Sequence, residues 1–192
     1  MHLLPMEKLA STLFEQRWRV FLDDPLSDPS FRFPGIYLLA YSKRNLKQTK
    51  IREEDVLYVG MSNAQGGVRS RLLQFRTGVE RYGTHSGAMR FFREYQNSVP
   101  HSQLKRPDSF FYAALSIQCA SEKGSLTAAD LRSLGHVACL EYYAIARIRE
   151  KTGRPPPLNK FGKRPINASS ERQHNTTQVT PPSSAFRGRG VR

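Results

Sequence analysis

The amino-acid sequence predicts an α/β domain with a small antiparallel sheet of at least three strands flanked by helices. Three short apolar and aromatic runs have strand character: GIYLLAYS from residue 35, DVLYVGMS from residue 55 and FFYAALSIQCA from residue 110. Other segments repeat apolar residues at three- and four-residue steps, which is typical of amphipathic helices. The chain has 192 residues, 39% of them hydrophobic, which suits one domain with a substantial core.

The two ends of the chain differ from this central part. Apolar residues recur at roughly helical spacing over residues 3–21 and predict an added N-terminal helix, followed by a proline-rich connector. We therefore assign residues 1–33 to the helix and connector, and residues 34–160 to the main domain. Residues 161–192 lose all periodicity and are rich in Ser, Thr, Pro, Gly and Arg, so they predict a disordered basic tail.

Two helices are expected between the second and third strands. The sequence VRSRLLQFRTG, which follows Gly66, predicts a helix that ends at Gly78. The segment SGAMRFFREYQNSV predicts a second helix, with Ser86 as its N-terminal cap.

The longest helix should follow the third strand, with Thr127 and Asp130 as a capping box and Gly153 as its end. Its apolar stripe contains one carboxylate, Glu141. The apolar members of the stripe are Leu134, Val137, Ala138, Ala144, Ile145 and Ile148. A carboxylate on an apolar face costs free energy unless it finds a cation, a donor or a metal. A structural pairing with an arginine or a tyrosine hydroxyl and a functional site are equally compatible with the helix alone.

The charge of the chain favours a polyanionic partner. Thirty Lys and Arg against sixteen Asp and Glu give a formal charge of +14. The apolar runs are much shorter than the ~20 residues of a spanning helix, so no membrane partner is expected. The first residues lack the apolar core of a signal peptide, which predicts a cytoplasmic protein.

Several short motifs occur in a specific order along the chain. Gly35-Ile36-Tyr37 lies on the first predicted strand and Tyr58-Val59-Gly60 on the second, and the next helix carries Arg69 and Arg71. Glu141 and the segment Pro157-Leu158-Asn159 come last. Over residues 34–160 this order resembles the GIY-YIG nuclease superfamily, in the style of its stand-alone restriction endonucleases. The resemblance implies catalytic roles for Tyr37, Tyr58, Arg71, Glu141 and Asn159, and structural roles near the site for Gly35 and Gly60.

The match to the family pattern has departures. Val59 replaces the eponymous isoleucine, and Phe75 stands where many members have His or Tyr. Arg71 matches the family arginine better than Arg69, because the residues after it reproduce the family spacing. His85 and His136 have no assigned place in the pattern.

The resemblance implies a metal-dependent endonuclease that hydrolyses phosphodiester bonds of double-stranded DNA. Glu141 would be the single protein ligand of one Mg²⁺ or Mn²⁺ ion, which needs few protein ligands because it keeps several waters. Arg71 would donate to the scissile phosphate. Tyr37 would accept the proton of the attacking water, with a pKa lowered by cationic surroundings, or would only position that water.

Further cations are expected to grip the phosphates that flank the cut. They are Lys43, Arg44, Lys47, Lys50, Arg52, Arg69, Arg76, Arg81, Arg90 and Arg93. A restriction role, with a possible homodimer that mirrors a palindromic site, is the first interpretation. The alternatives are a non-catalytic basic nucleic-acid-binding protein and a repair or toxin-type nuclease without sequence preference.

Overall fold

The computed structural model describes residues 6–21, 27–81, 85–95, 109–122 and 124–159. The chain divides into two units, Met1–Lys160 and Phe161–Arg192. The second unit, and with it the predicted disordered tail, lies outside the described residues.

The first unit is mixed α/β, with a four-stranded antiparallel sheet in the order β1-β4-β2-β3. The strands are β1 (Arg19–Val20), β2 (Gly35–Tyr41), β3 (Tyr58–Ser62) and β4 (Phe110–Ser116). The helices in the described residues are α1 (Met6–Phe14), α2 (Gly67–Arg81), α3 (Ser86–Tyr95) and α4 (Ala128–Thr152), with short 3₁₀ turns at Pro29–Arg32 and Glu53–Asp55. The predicted antiparallel sheet with flanking helices is confirmed.

Successive residues of each strand point to opposite faces of the sheet, and each face has its own core. The first cluster contains Ile36 and Leu38 of β2, packed with apolar residues of α1 and α4. The second cluster contains Tyr37 and Leu39, packed with apolar residues of α2 and α3. The sheet is therefore buried on both sides.

The N-terminal segment differs from its prediction. The expected helix over residues 3–21 ends at Phe14, and Val20 pairs with Phe111 as part of a strand. Trp18 is fully buried in the first cluster. Pairing with the edge of β4, which is distant in sequence, satisfies the backbone of this segment and overrides its local helical periodicity.

The predicted end of α2 at Gly78 is also wrong, because the helix continues to Arg81. A Cβ atom at Gly78 would lie 2.7 Å from the Cβ of Ala88 on α3. The glycine therefore allows α2 and α3 to pack closely and does not terminate the helix.

The predicted ends of the long helix are confirmed. Thr127 and Asp130 form a reciprocal capping box at the start of α4. Gly153 follows the helix with a left-handed φ of 75°, which favours glycine. These local signals fix where α4 begins and ends, and so where Glu141 lies along it.

Candidate active site

The two motif tyrosines lie side by side on one face of the sheet. Tyr37 of β2 pairs with Gly60 of β3, and Tyr58 pairs with Leu39, so all four residues belong to the α2 and α3 side. The Tyr37 and Tyr58 ring centroids are 6.1 Å apart. Tyr37 is 1% exposed and Tyr58 is 9% exposed.

Two glycines make this arrangement possible. A Cβ atom at Gly60 would lie 2.5 Å from the hydroxyl oxygen of Tyr37 and 2.7 Å from the ring of Tyr58. A Cβ atom at Gly35 would lie 2.7 Å from the Cα of Ser116 on the neighbouring strand β4. A side chain would therefore collide at both positions, beneath the tyrosine rings at Gly60 and between two strands at Gly35.

His85, which has no assigned position in the family pattern, lies beside the tyrosines. Its Nδ1 accepts hydrogen bonds from the backbone N–H groups of Gly87 (3.1 Å) and Ala88 (3.4 Å), and so caps α3 in place of Ser86. The neutral ring then carries its proton on Nε2, which lies 3.3 Å from the Tyr37 hydroxyl and donates to it. The only sequence signal for this role is the position of His85 immediately before the predicted helix.

Phe75, at the position where the family pattern has His or Tyr, contacts His85. The Phe75 ring is buried and packs edge-on against the His85 ring, with centroids 5.4 Å apart. A histidine from the next helix therefore occupies space beside the residue where the family pattern has His or Tyr. His85, which has no assigned place in the family pattern, therefore contacts both Phe75 and Tyr37.

The surroundings of Tyr37 do not lower its pKa. Burial raises that pKa above its ordinary value, the nearby Tyr58 and Glu141 raise it further, and the charge of Arg71 opposes them only in part. The expectation of a lowered Tyr37 pKa is wrong. The pKa of Tyr58 is also raised by burial and by Glu141, against the opposing effects of Arg90, a hydrogen bond with Ser86, and Arg71.

The charges of two arginines lower the pKa values of rings at this site. Burial, followed by the charges of Arg71 and Arg90, lowers the pKa of His85 to about 4. Arg71 is exposed and donates through Nη1 to Gln74 (3.0 Å), whereas Arg90 is half-buried and donates to the Leu158 carbonyl (3.0 Å). Arg71 and Arg90 are therefore the two arginines whose charges act on the rings of the site.

Glu141 lies half-buried on α4, a helix that packs against β3. Its charge acts on both Tyr37 and Tyr58, and burial raises its own pKa above the ordinary value. In the part of the chain that the structure describes, its carboxylate has neither a hydrogen bond nor a salt bridge. The structural pairing considered for Glu141 is therefore absent from the described residues, and a half-buried acceptor is left for another partner.

Asn159 holds the chain around the site through both polar atoms of its side chain. Its Oδ1 accepts from the Val59 N–H (2.8 Å), and its Nδ2 donates to the Val59 carbonyl (2.7 Å). Leu158 N–H donates to the Leu57 carbonyl (3.1 Å). The segment after α4 therefore covers the open edge of β3, and Asn159 positions β3, whereas the sequence had grouped it with the catalytic residues.

The basic loop between β2 and β3 lies away from the tyrosines. Leu46 and Ile51 of this loop join the first cluster, on the face opposite the tyrosines, and Gln48 pairs with Trp18. Lys43, Lys47 and Lys50 of this loop are exposed.

Some of the predicted DNA-binding arginines are paired with carboxylates. Arg44 forms a salt bridge with Asp55 (3.4 Å), and Arg76 forms one with Glu80 (2.9 Å). Arg69 is exposed on the outer side of α2 and lines a separate groove. Of the predicted DNA-binding cations, Arg90 thus acts on the rings of the site, whereas Arg44 and Arg76 are paired elsewhere.

Comparison of the chain with protein-family models, with curated proteins and with solved structures finds no match. Among the described helices, none combines the length and the apolar character needed to cross a bilayer.

Proposed function

We propose that this protein is a divalent-metal-dependent endonuclease of the GIY-YIG type that hydrolyses phosphodiester bonds in DNA. One observation carries the proposal: a half-buried carboxylate without a partner among the described residues and two arginines act electrostatically on the same pair of neighbouring tyrosines. A carboxylate beside arginines is of little use to a protein that only binds a polyanion. It suits a site that must hold a cation against a phosphate.

The donor set fits a hard cation that keeps most of its waters. The described residues contain no group of three or more His, Cys, Asp or Glu that could hold a metal ion, which does not suit a structural zinc site. Among the described residues, Glu141 is the carboxylate that acts on both tyrosines, and Mg²⁺ or Mn²⁺ needs only one carboxylate together with water and substrate oxygens. Such an ion supplies positive charge against the negative charge that develops on the leaving 3′ oxygen.

The protein side chains would share the remaining tasks. Arg71 is exposed and would donate to the non-bridging oxygens of the scissile phosphate. Tyr58 is the more accessible tyrosine and keeps its proton because its pKa is raised, so it would orient the attacking water or a phosphate oxygen as a hydrogen-bond donor. Tyr37 is buried and bonded to His85, so it would position Tyr58 and would not serve as the base.

The biological role we propose is restriction, by a homodimer if the recognition sequence is a palindrome. Incubation of the purified protein with plasmid DNA and Mg²⁺ tests both the nuclease activity and the restriction role. Cleavage that stops when the metal is chelated supports the nuclease, and discrete fragments support the restriction role. A smear would contradict sequence-specific cutting, and intact plasmid at high protein and metal concentrations would contradict the nuclease.

A further inference from the structure

A groove runs along the outer side of α2, next to the proposed active site. It has a volume of about 560 Å³, and its polar lining comes from Arg32, Arg69, Ser70, Gln74 and Thr77. Arg32 belongs to the short turn before β2, whereas the other four lie on one side of α2. We call this feature the α2 groove.

The charge of the α2 groove is uncompensated. Within the described residues no carboxylate lines it, and neither Arg32 nor Arg69 has a salt bridge or a hydrogen bond. The Arg32 guanidinium lies 4.9 Å from the centre of the Phe33 ring, which orients it without neutralising it. Arg44 and Arg76, by contrast, are paired with acids. Two such guanidiniums beside hydroxyl and amide groups form a surface suited to phosphates.

The α2 groove is continuous with the site through Gln74. The Gln74 side chain accepts from Arg71 Nη1 (3.0 Å) and donates to Ser70 Oγ (3.4 Å). A row of hydrogen-bonding groups therefore leads from the arginine at the tyrosines to the arginines of the groove. A strand whose phosphate is held at Arg71 would have its neighbouring phosphates beside this row.

We propose that the α2 groove binds the phosphate backbone of the DNA strand on one side of the cut. This inference rests on the proposed nuclease function and adds to it the path of the substrate. Arg69, which the sequence offered both as an alternative catalytic arginine and as a cation for the flanking phosphates, takes the second of these roles. The groove would contact only the phosphate backbone of the DNA, so it should contribute equally to the affinity for DNA of any sequence.

The test measures the salt dependence of binding for a short fluorescent duplex of mixed sequence, in buffer without divalent metal. The double variant Arg32→Gln/Arg69→Gln is compared with Arg149→Gln/Lys151→Gln, which removes the same charge from exposed positions at the end of α4. The plot of log K against log salt should become flatter by about 0.9 for each phosphate that the protein no longer binds, or about 1.8 in the groove variant. The control variant should keep the wild-type slope.

Single-turnover cleavage separates this inference from the proposed function. The control variant Arg149→Gln/Lys151→Gln should cut at the wild-type rate, whereas the groove variant should need a higher DNA concentration to reach its maximal rate, because its affinity for DNA is reduced. A wild-type protein that neither binds nor cuts DNA would overturn the nuclease and the groove together. If the wild type cuts DNA while the groove variant keeps the wild-type slope, only the groove is overturned.

Substitutions at Thr77 keep the test decisive if the double variant fails to fold. Thr77 is exposed in the α2 groove, so it tolerates a change of side chain. Thr77→Lys should steepen the salt dependence by about 0.9, and Thr77→Glu should weaken binding at low salt. Equal binding by the two variants would contradict the proposal.

Discussion

The two faces of the sheet are built from alternate residues of the same strands, but their chemistry differs. On the first face, Ile36, Leu38 and Ala40 of β2 meet apolar side chains of α1 and α4. On the second face, Tyr37 lies among aromatic rings and next to a buried histidine. A hydrophobic cluster needs only apolar surface of suitable shape, whereas phenols and an imidazole in a core need specific partners. The comparison suggests that the first face mainly stabilises the fold, whereas the tyrosines of the second face, together with Glu141 of α4, carry the function.

Leu38→Ala should have the largest effect on stability. Leu38 is fully buried on the first face, and truncating such a leucine costs about 2–5 kcal/mol, because apolar burial is reduced and a cavity is left behind. Chemical denaturation measures this cost. The cleavage rate per folded molecule should stay within a few-fold of wild type. A lower rate in a variant that is still folded would contradict the claim that the two faces have different roles.

Tyr58→Phe should show the opposite pattern. Loss of one hydrogen-bond donor to the charge that develops in the transition state lowers the cleavage rate by about 10²–10³-fold. Loss of one hydroxyl hydrogen bond lowers the free energy of unfolding by only about 1 kcal/mol. Tyr41→Phe is the matched control, because Tyr41 is on the same face but contacts Phe91, Tyr95 and Phe110. Single-turnover rates that fall equally in both variants would contradict the role of Tyr58.

The third prediction concerns pH and His85. Its pKa of about 4 in the folded protein lies below the ordinary value of 6.5, so the unfolded chain binds a proton that the folded protein does not. The contribution of this group to stability is therefore present above pH ~6.5 and is lost as pH falls toward ~4, by up to about 3 kcal/mol. His85→Asn keeps a side chain that can cap α3 but removes the titration.

Denaturation at a series of pH values should show a smaller loss of stability for His85→Asn than for the wild type across this window. The wild-type cleavage rate should also have no inflection near pH 6.5, since His85 is neutral there. Identical stability profiles for the two proteins would mean that His85 does not occupy the buried position described.

Two glycines provide the comparison with the smallest expected effects. Gly60→Ala would force the Tyr37 and Tyr58 rings apart. It should lower the free energy of unfolding by about 1–3 kcal/mol and should also lower the cleavage rate. Gly135 of α4 has nothing within 4 Å of an added Cβ, so Gly135→Ala should stabilise the protein by about 0.5–1 kcal/mol. Thermal melts and cleavage rates of the two variants test this contrast. A Gly60→Ala variant with wild-type stability and rate would contradict the packing at the tyrosines.

The sequence predicted the features whose signals are local. The capping box of Thr127 and Asp130 and the left-handed Gly153 involve neighbouring residues, so the limits of α4 could be read directly. The strands around Tyr37 and Tyr58 were recognisable because their residues are apolar and aromatic.

Features that depend on distant partners were missed. Val20 is a strand residue only because Phe111 lies beside it, and Gly78 packs against Ala88 and does not end its helix. The role of His85 depends on Tyr37, 48 positions earlier in the chain. Such pairings follow from the tertiary fold and leave no pattern in the local sequence.

The central claim is that Glu141 holds the cation of a phosphodiester-cleaving site, and single-turnover cleavage by Glu141→Gln tests it most directly. Glu150→Gln, an exposed change on the same helix, is the matched control. With saturating DNA and Mg²⁺, loss of the carboxylate should lower the rate by about a thousandfold or more, because several kcal/mol of charge stabilisation depend on the ion. Affinity for DNA without metal should stay within a few-fold of wild type, and the control should cut normally. Cleavage by Glu141→Gln at the wild-type rate would contradict the account.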